Sequence, residues 1–231
     1  MEQTPPIDRG LMTVSPSPTA LQFADLGQAK DLATLISRVR SIDSGAAVRL
    51  QARGNVLGVW VPVMSAETLL EQIPTVLGMR AIHLDVASEA DVTVESAALL
   101  DRLARIEKTD GALDIPPVTV HAAWSGIIPP ASGWSHVGTM SSGDVDAAAR
   151  EGMSAVEQAL PANPGGAVVS TVRARIWGST TSFDMVTGAA FGATVLGFND
   201  SGQDFDVYQS GPWHRLSGPT GHILSRPGNT L

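Results

Sequence analysis

The sequence predicts an α+β protein of two compact parts, each with a mixed or antiparallel sheet covered by helices. Segments with apolar residues three and four positions apart alternate with short segments of alternating apolar and polar residues. A segment rich in glycine and proline, Ser125–Gly133, lies near the middle of the chain. Of the 231 residues, 43% are hydrophobic, which is enough apolar material for a core in each part.

We expect residues 1–20 to form an irregular arm, because they contain several prolines and show no apolar periodicity. The N-terminal part, residues 21–127, then begins with a helix whose N-cap is Asp25. One face of this helix carries apolar residues at helical spacing, namely Ala29, Leu32, Leu35, Ile36 and Val39.

Ala47–Val63 is predicted to be a β-hairpin with Gly54 and Asn55 as its two-residue turn, because this dipeptide lies between two alternating apolar segments. The turn would place these residues opposite one another: Val48 and Val61, Leu50 and Val59, Ala52 and Leu57, and, on the other face, Arg49 and Trp60. The last pair predicts a guanidinium stacked on an indole.

Four further elements are predicted in the N-terminal part. Two are helices, a short one near Ala66–Gln72 and an amphipathic one at Glu95–Ile106. Two are strands, one at Thr75–Val86 with Ile82, Leu84 and Val86 on one face, and one at Val118–Trp124. The linker Ser125–Gly133 follows, and we place the domain boundary inside it, between residues 127 and 128. Trp124 and Trp134 flank this linker, and we expect them to be packing anchors.

The C-terminal part, residues 128–231, is predicted to begin with a strand around Trp134–Thr139 and a helix capped by Ser141 or Ser142, whose buried residues are Val145, Ala149, Met153, Val156 and Leu160. A strand at Ala167–Trp177 and a helix near Met185–Leu196 are predicted to follow. The part would end in a meander of three short strands at Asp204–Pro227. Arg173 and Arg175 would share one face of the second strand. The turns of the meander contain proline and leave its register open.

Charge and cysteine content restrict the partners and the location. The formal net charge is −8 without a basic block, which argues against nucleic acids and anionic membranes as partners. Cysteine is absent, which excludes disulfides and thiolate nucleophiles. The first residues lack the basic and apolar regions of a secretory signal, and no apolar stretch is long enough to span a bilayer, so we expect a soluble, cytoplasmic protein.

The sequence contains no motif that names a reaction. The nucleophile elbow, the P-loop, the zinc-binding H-E-x-x-H, the dinucleotide-binding glycine pattern and the EF-hand loop are all absent. The five histidines are scattered without metal-ligand spacing. We therefore predict neither catalytic residues nor a metal or cofactor, and whether the protein is an enzyme stays open.

The densest group of polar and aromatic residues lies in the predicted C-terminal meander. The candidate ligand-binding residues are Tyr208, Trp213, Arg215 and His222, which are suited to a planar or anionic ligand. Trp213 and Arg215 share one strand face, and His222 joins them only in some registers. In the alternative interpretation, the same residues only close the sheet.

Several segments in order resemble a family of hypothetical proteins from high-GC actinobacteria, over about Leu21 to Arg226. The segments are Val48-Arg-Leu-Gln-Ala-Arg-Gly with Val59-Trp-Val, Thr75-Val-Leu-Gly-Met-Arg, Pro130-Ala-Ser-Gly-Trp-Ser-His-Val-Gly, and Gly211-Pro-Trp-His-Arg-Leu-Ser-Gly-Pro-Thr-Gly-His. The resemblance implies a lineage and a cytoplasmic setting, but no activity.

The sequence is thus compatible with two functions. The first is a non-catalytic module for protein interaction or scaffolding, which self-associates. The second is a small-molecule binder or an enzyme of unknown reaction that uses the C-terminal sheet or the cleft between the two parts. A flat apolar patch would favour the first function, and a deep pocket lined by the candidate residues would favour the second.

Overall fold

The computed structural model describes residues 20–66, 68 and 71–228. The predicted arm at residues 1–20 lies outside these residues except for Ala20, and the predicted helix near residues 66–72 lies partly outside them. The helices and strands are β1 (Ala20–Gln22), α1 (Leu26–Ile42), β2 (Ala47–Met64), β3 (Thr75–Glu95), α2 (Ser96–Leu103), β4 (Ala112–Asp114), β5 (Ser135–Met140), α3 (Ser142–Ala159), α4 (Gly166–Trp177), α5 (Gly188–Val195), β6 (Phe205–Ser210), β7 (Trp213–Gly218) and β8 (Gly221–Arg226).

The main sheet has six antiparallel strands in the order β2-β3-β8-β7-β6-β5, and β1 pairs with β4 in a separate two-stranded sheet. The predicted α+β class is therefore confirmed. The N-terminal part contributes β2 and β3, the C-terminal part contributes β5 to β8, and the pairing of β3 with β8 joins the two parts into one sheet.

The two faces of this sheet differ in their surroundings. Residues such as Leu57, Val76 and Leu216 lie on the face that packs against apolar residues of the helices in one continuous core, and we call it the inner face. The opposite, outer face carries Leu77 and Leu224, which belong to a second and smaller apolar cluster. Among the described residues, all five α-helices contribute buried apolar residues to the first cluster, and none of them contributes to the second.

The first helix is confirmed in its cap and its buried face. Asp25 is the N-cap of α1, and its carboxylate accepts a hydrogen bond of 2.9 Å from the backbone N–H of Gly27. The buried residues of α1 are the five that the helical spacing predicts: Ala29, Leu32, Leu35, Ile36 and Val39. A capped helix with one apolar stripe is specified locally, and the sequence is therefore sufficient to predict it.

The predicted hairpin at Ala47–Val63 is wrong, because β2 runs through it as a single strand. Leu50 pairs with Val92 of β3 rather than with Val59. Gly54 adopts a positive φ of 58°, and the register shifts between Gly54 and Val56. At this bulge the inward-facing residues of β2 change from even-numbered to odd-numbered positions. The same apolar residues therefore become buried as in a hairpin, and their pattern in the sequence could not distinguish the two arrangements.

The predicted strand at Ala167–Trp177 is also wrong, because this segment is the helix α4. Its many β-branched residues are typical of a strand, but Val168 remains 44% exposed, and Val172 and Trp177 are the residues that become buried. Arg173 and Arg175 therefore lie roughly 200° apart around a helix and do not share a face.

The predicted strand at Val118–Trp124 is wrong as well. This segment ends in a 3-10 turn at Ala123–Gly126, and Val118 is 70% exposed. The backbone N–H of Val120 donates to the carbonyl of Thr93 at the end of β3. The alternation of side chains thus reflects contact of an irregular segment with a sheet, not a strand within it.

Smaller differences concern single residues of correctly predicted elements. Val86 is exposed, because β3 bulges out where it passes Asn55. The helix predicted at Glu95–Ile106 ends at Leu103 and continues as a 3-10 turn. In α3, Gly152 is buried in place of Met153, which is 38% exposed.

The C-terminal meander is confirmed, and the structure supplies its register. Ser141 caps α3, α5 covers the inner face, and β6, β7 and β8 follow as successive antiparallel strands. Arg215 of β7 pairs with Tyr208 of β6 on one side and with Leu224 of β8 on the other.

Candidate functional site

The outer face of the sheet brings together the four residues that the sequence singles out. In one row across the strands, Leu77, Leu224, Arg215 and Tyr208 are successive partners. In the next row, Trp60, Met79, His222 and Ser217 are successive partners. Trp213 lies two residues from Arg215 on β7 and therefore on the same face. Tyr208, Trp213, Arg215 and His222 thus share the outer face, whereas His214 lies on the inner face and is 4% exposed.

Tryptophans from distant parts of the chain meet on the outer face. Trp124 and Trp213 are buried there with Leu77 and Leu224, and the partly buried members of this cluster are Trp60, Met79, Ala122 and Trp134. Trp124 and Trp134 come from the two ends of the linker, which therefore packs on the sheet by its ends. The indole N–H of Trp134 donates to the carbonyl of Pro130 at 2.9 Å, which closes the linker into a turn.

Arg215 lies between two aromatic rings. Its guanidinium carbon is 4.4 Å from the ring centroid of Tyr208 and 4.9 Å from that of Trp134, within the range of cation–π attraction. The ring of His136 meets Tyr208 edge-on, and its Nε2 is 3.2 Å from Asp206. Strand pairing and stacking thus hold the Arg215 side chain in one place.

Arg226 is a second arginine of this face that the sequence reasoning missed. Its guanidinium carbon lies 5.7 Å from the ring centroid of Trp213. The two are brought together by the tight turn at Gly218-Pro219-Thr220-Gly221, in which Gly218 pairs with Gly221. The sequence signal for this pairing is the four-residue motif, because a two-residue loop, here Pro219-Thr220, determines which residues of the two strands lie opposite each other.

Neither arginine has a carboxylate partner among the described residues. The ion pairs found there join Lys30 to Glu107, Arg38 to Asp200, Arg49 to Asp91 and His136 to Asp206. Arg215 and Arg226 therefore keep an unneutralised positive charge in a protein that carries more acidic than basic residues.

The outer face also collects buried polar atoms without a hydrogen-bond partner. In the described part of the chain these are Trp60 Nε1, Arg215 Nε, Ser217 Oγ, His222 Nδ1 and Arg226 Nε. Buried polar groups are usually paired, and each group left unpaired costs about 1–3 kcal/mol. Burial, together with the positive charge of Arg215, lowers the pKa of His222, so this histidine is neutral near pH 7.

Two open grooves lie elsewhere, on either side of α4. The first, of about 810 Å³, is lined by residues including Pro62, Trp124 and Arg173, and the second, of about 910 Å³, by residues including Arg175 and Gly228. Tyr208, Trp213, Arg215 and His222 line neither groove. The candidate residues thus form a partly buried aromatic and cationic face, with Trp213 buried in it, and not the wall of either groove.

The described residues contain no group of three or more histidine, aspartate or glutamate side chains arranged to hold a metal ion. Among the helices in that part of the chain, none has the length and apolar character needed to cross a membrane. The outer face instead offers guanidinium groups, indole rings and a neutral imidazole. Such groups bind anions and planar groups by charge, stacking and hydrogen bonding.

Two family models match the sequence, one in each half. Residues 17–126 match a domain of unknown function (DUF8010), and residues 129–230 match another domain of unknown function (DUF8185). No curated protein matches the sequence significantly.

The fold is similar to solved structures of bacterial sliding clamps. The DNA polymerase III β subunit of Thermotoga maritima aligns with a TM-score of 0.52 and 11% identity, over 92% of this chain and 65% of that one. The DNA polymerase sliding clamp of Pseudomonas aeruginosa aligns with a TM-score of 0.48 and 11% identity, over 88% of this chain and 63% of that one. The chain thus spans a little under two thirds of the length of these clamps, and what it shares with them is the fold.

Proposed function

We propose that this chain is a non-catalytic module for protein interaction or scaffolding, which self-associates through the free edge of its sheet at β5. The observation that carries the proposal is that β5 is one of the two edge strands of the six-stranded sheet and, among the described residues, pairs with β6 alone. The fold similarity to the Thermotoga maritima clamp subunit supports a scaffolding role over a catalytic one.

The exposure of β5 suits an interface between strands. Four residues of β5 are exposed, namely Ser135, His136, Val137 and Thr139. The apolar side chain among them, Val137, lies at a bulge, and the exposed fraction of this residue is 38%. An edge strand presents unpaired backbone N–H and C=O groups, which a strand of a second molecule can bind. A second copy of the chain supplies such a strand without any further partner.

The test is sedimentation velocity of the purified protein over a wide concentration range. We expect an oligomer that dissociates on dilution, and we expect Val137→Lys to shift the protein towards monomer, because a charge at an edge strand opposes strand pairing. Val168→Lys is the matched control, because it makes the same exchange at an exposed valine of α4 and should leave the association unchanged. A wild-type protein that stays monomeric at every concentration would contradict the proposal.

A small-molecule binder, or an enzyme of unknown reaction, is the second candidate, and one observation favours it. The unpartnered polar atoms gather on the outer face around Tyr208, Trp213, Arg215 and His222, where a ligand would supply their missing partners. Native mass spectrometry of the purified protein distinguishes the candidates: a bound small mass supports the second, and a multiple of the chain mass supports the first.

The proposal includes a domain boundary and a setting. The boundary between residues 127 and 128 is supported by the two family models, which match on either side of it. We expect limited proteolysis to cut first near Pro129 and Pro130, in the segment between the two parts.

The proposal places the protein in the cytoplasm of an actinobacterium. The net charge of −8 argues against nucleic acids and membrane surfaces as partners.

A further inference from the structure

We propose that Arg215 and Arg226 form an oxyanion site on the outer face, which binds the phosphate or carboxylate group of a small molecule between the rings of Trp134, Tyr208 and Trp213. This proposal rests on the second candidate function and names its ligand class; the two arginines lie on β7 and β8, inside the sheet, whereas the proposed self-association uses the edge strand β5.

The strand register brings the two arginines together. Arg215 pairs with Leu224, and Arg226 lies two residues further along the same strand as Leu224, on the same face. The two arginines are therefore diagonal neighbours, with roughly 7–8 Å between them at the backbone, a separation that long side chains span.

Aromatic stacking orients both guanidinium groups before any ligand arrives. Arg215 lies 4.4 Å from the ring centroid of Tyr208 and 4.9 Å from that of Trp134, and Arg226 lies 5.7 Å from that of Trp213. Stacking uses the flat face of a guanidinium and leaves its N–H groups in the plane free to donate. Side chains held in this way lose little entropy on binding, which favours affinity.

The donors of these arginines are not used within the described part of the protein. The Nε atoms of Arg215 and Arg226 are buried without a partner, while both side chains are only partly buried, so their terminal nitrogens remain open to a ligand. The acidic side chain next along this face, Asp206, pairs with His136 instead. Ser217 Oγ and His222 Nδ1 add two further unpartnered polar atoms beside Arg215.

Oxyanions fit this arrangement because a guanidinium donates two parallel hydrogen bonds to the oxygens of a carboxylate or a phosphate. Two such groups approaching from neighbouring strands can neutralise a single anion. The indole and phenol rings around them exclude water from the site and strengthen the charge interactions.

The test uses inorganic phosphate and acetate as separate probes at constant ionic strength, read by tryptophan fluorescence, because Trp134 and Trp213 lie against the arginines. We expect a saturable response in the wild-type protein and an affinity about tenfold weaker in Arg226→Gln. Arg175→Gln is the matched control, since it removes the same charge from an exposed arginine of α4 and should bind as the wild type does.

A measurement on the wild-type protein keeps the proposal falsifiable if Arg226→Gln does not fold. The arginine Nε–H signals of Arg215 and Arg226 in nitrogen-15 NMR spectra should shift together as the probe saturates. Saturation with phosphate alone indicates a phosphorylated ligand, and saturation with acetate alone or with both probes indicates that a carboxylate is accepted. A linear response to both probes that is equal in all three proteins, or NMR signals that do not move, would overturn the proposal.

Discussion

Arg49 and Asp91 form a two-pronged ion pair across β2 and β3. Nε of Arg49 donates to Oδ1 and Nη2 donates to Oδ2, each at 2.7 Å, and Nη1 donates to the carbonyl of Ser125 at 2.7 Å. The hydrogen bonds of this pair raise the pKa of Arg49 and lower that of Asp91. Arg49 therefore ties the sheet to the first residue of the linker, and it does not stack on Trp60 as the predicted hairpin required.

Arg49→Ala should destabilise the protein by about 1–2 kcal/mol, because the change leaves Asp91 with the hydrogen bond from Gln51 but without its charged partner, and frees the carbonyl of Ser125. Urea unfolding gives the free energy, and proteolysis of the segment 125–133 should become faster in the variant. Lys30→Ala is the control, since the Lys30–Glu107 pair is exposed on both sides and its loss should not change stability measurably. Equal effects of the two substitutions would contradict the role of Arg49.

Gly152→Ala should destabilise the protein by about 1–3 kcal/mol, although alanine is the better helix former. A Cβ at this buried position of α3 would overlap the indole ring of Trp177. Gly143→Ala in the first turn of α3 is the control, because a Cβ there meets only open space and the hydroxyl of Ser141 at 3.8 Å. Thermal unfolding should show a lower Tm for the first variant and an unchanged or higher Tm for the second.

The bulged strand predicts which engineered cysteines form a disulfide, and the chain has no native cysteine to interfere. Val56 and His83 pair directly across β2 and β3, so Val56→Cys with His83→Cys should cross-link under mild oxidation. Arg53→Cys with Val56→Cys should remain reduced, because those two residues lie on the same strand. Mass spectrometry of the oxidised proteins gives the result. A disulfide in the Arg53–Val56 cysteine pair, with none in the Val56–His83 pair, would instead support the hairpin with its turn at Gly54 and Asn55.

Acid should destabilise this protein through His214, which is buried on the inner face of the sheet. Burial lowers the pKa of His214 below its usual value of 6.5. The unfolded chain therefore takes up the proton at a higher pH than the folded protein, so stability is full above about pH 6.5 and falls as the pH drops through the folded pKa.

His214→Phe keeps a buried ring and removes the titration, so the decrease in Tm between about pH 8 and about pH 5 should become smaller. The exposed His83, changed to glutamine, is the control and should leave the decrease as in the wild type. A His214→Phe protein whose Tm falls as steeply as that of the wild type would assign the acid sensitivity elsewhere. His222, whose pKa is also lowered by burial, is the next histidine to test.

The features that the sequence determined by itself are those with local causes. The start of α1 follows from the Asp25 cap, and its buried face follows from the spacing of five apolar residues. The start of α3 follows from Ser141, whose hydroxyl accepts from the N–H of Asp144. Trp213 and Arg215 share a face because they are two residues apart on a strand. Each of these features depends on neighbours within about one turn of helix or a few residues of strand.

Tertiary structure alone decided which segments pair, and with them most of the candidate site. Gly54 permits a turn or a bulge equally, and only the long partner strand β3 selects the bulge. The β-branched segment of α4 has the local composition of a strand, but it pairs with neither edge strand of the main sheet, β2 or β5, and forms a helix instead. Arg226 approaches Trp213, and Trp134 approaches Arg215, only after β5 to β8 have assembled. Local patterns specify burial and caps, whereas contacts between distant residues depend on a register that no single segment contains.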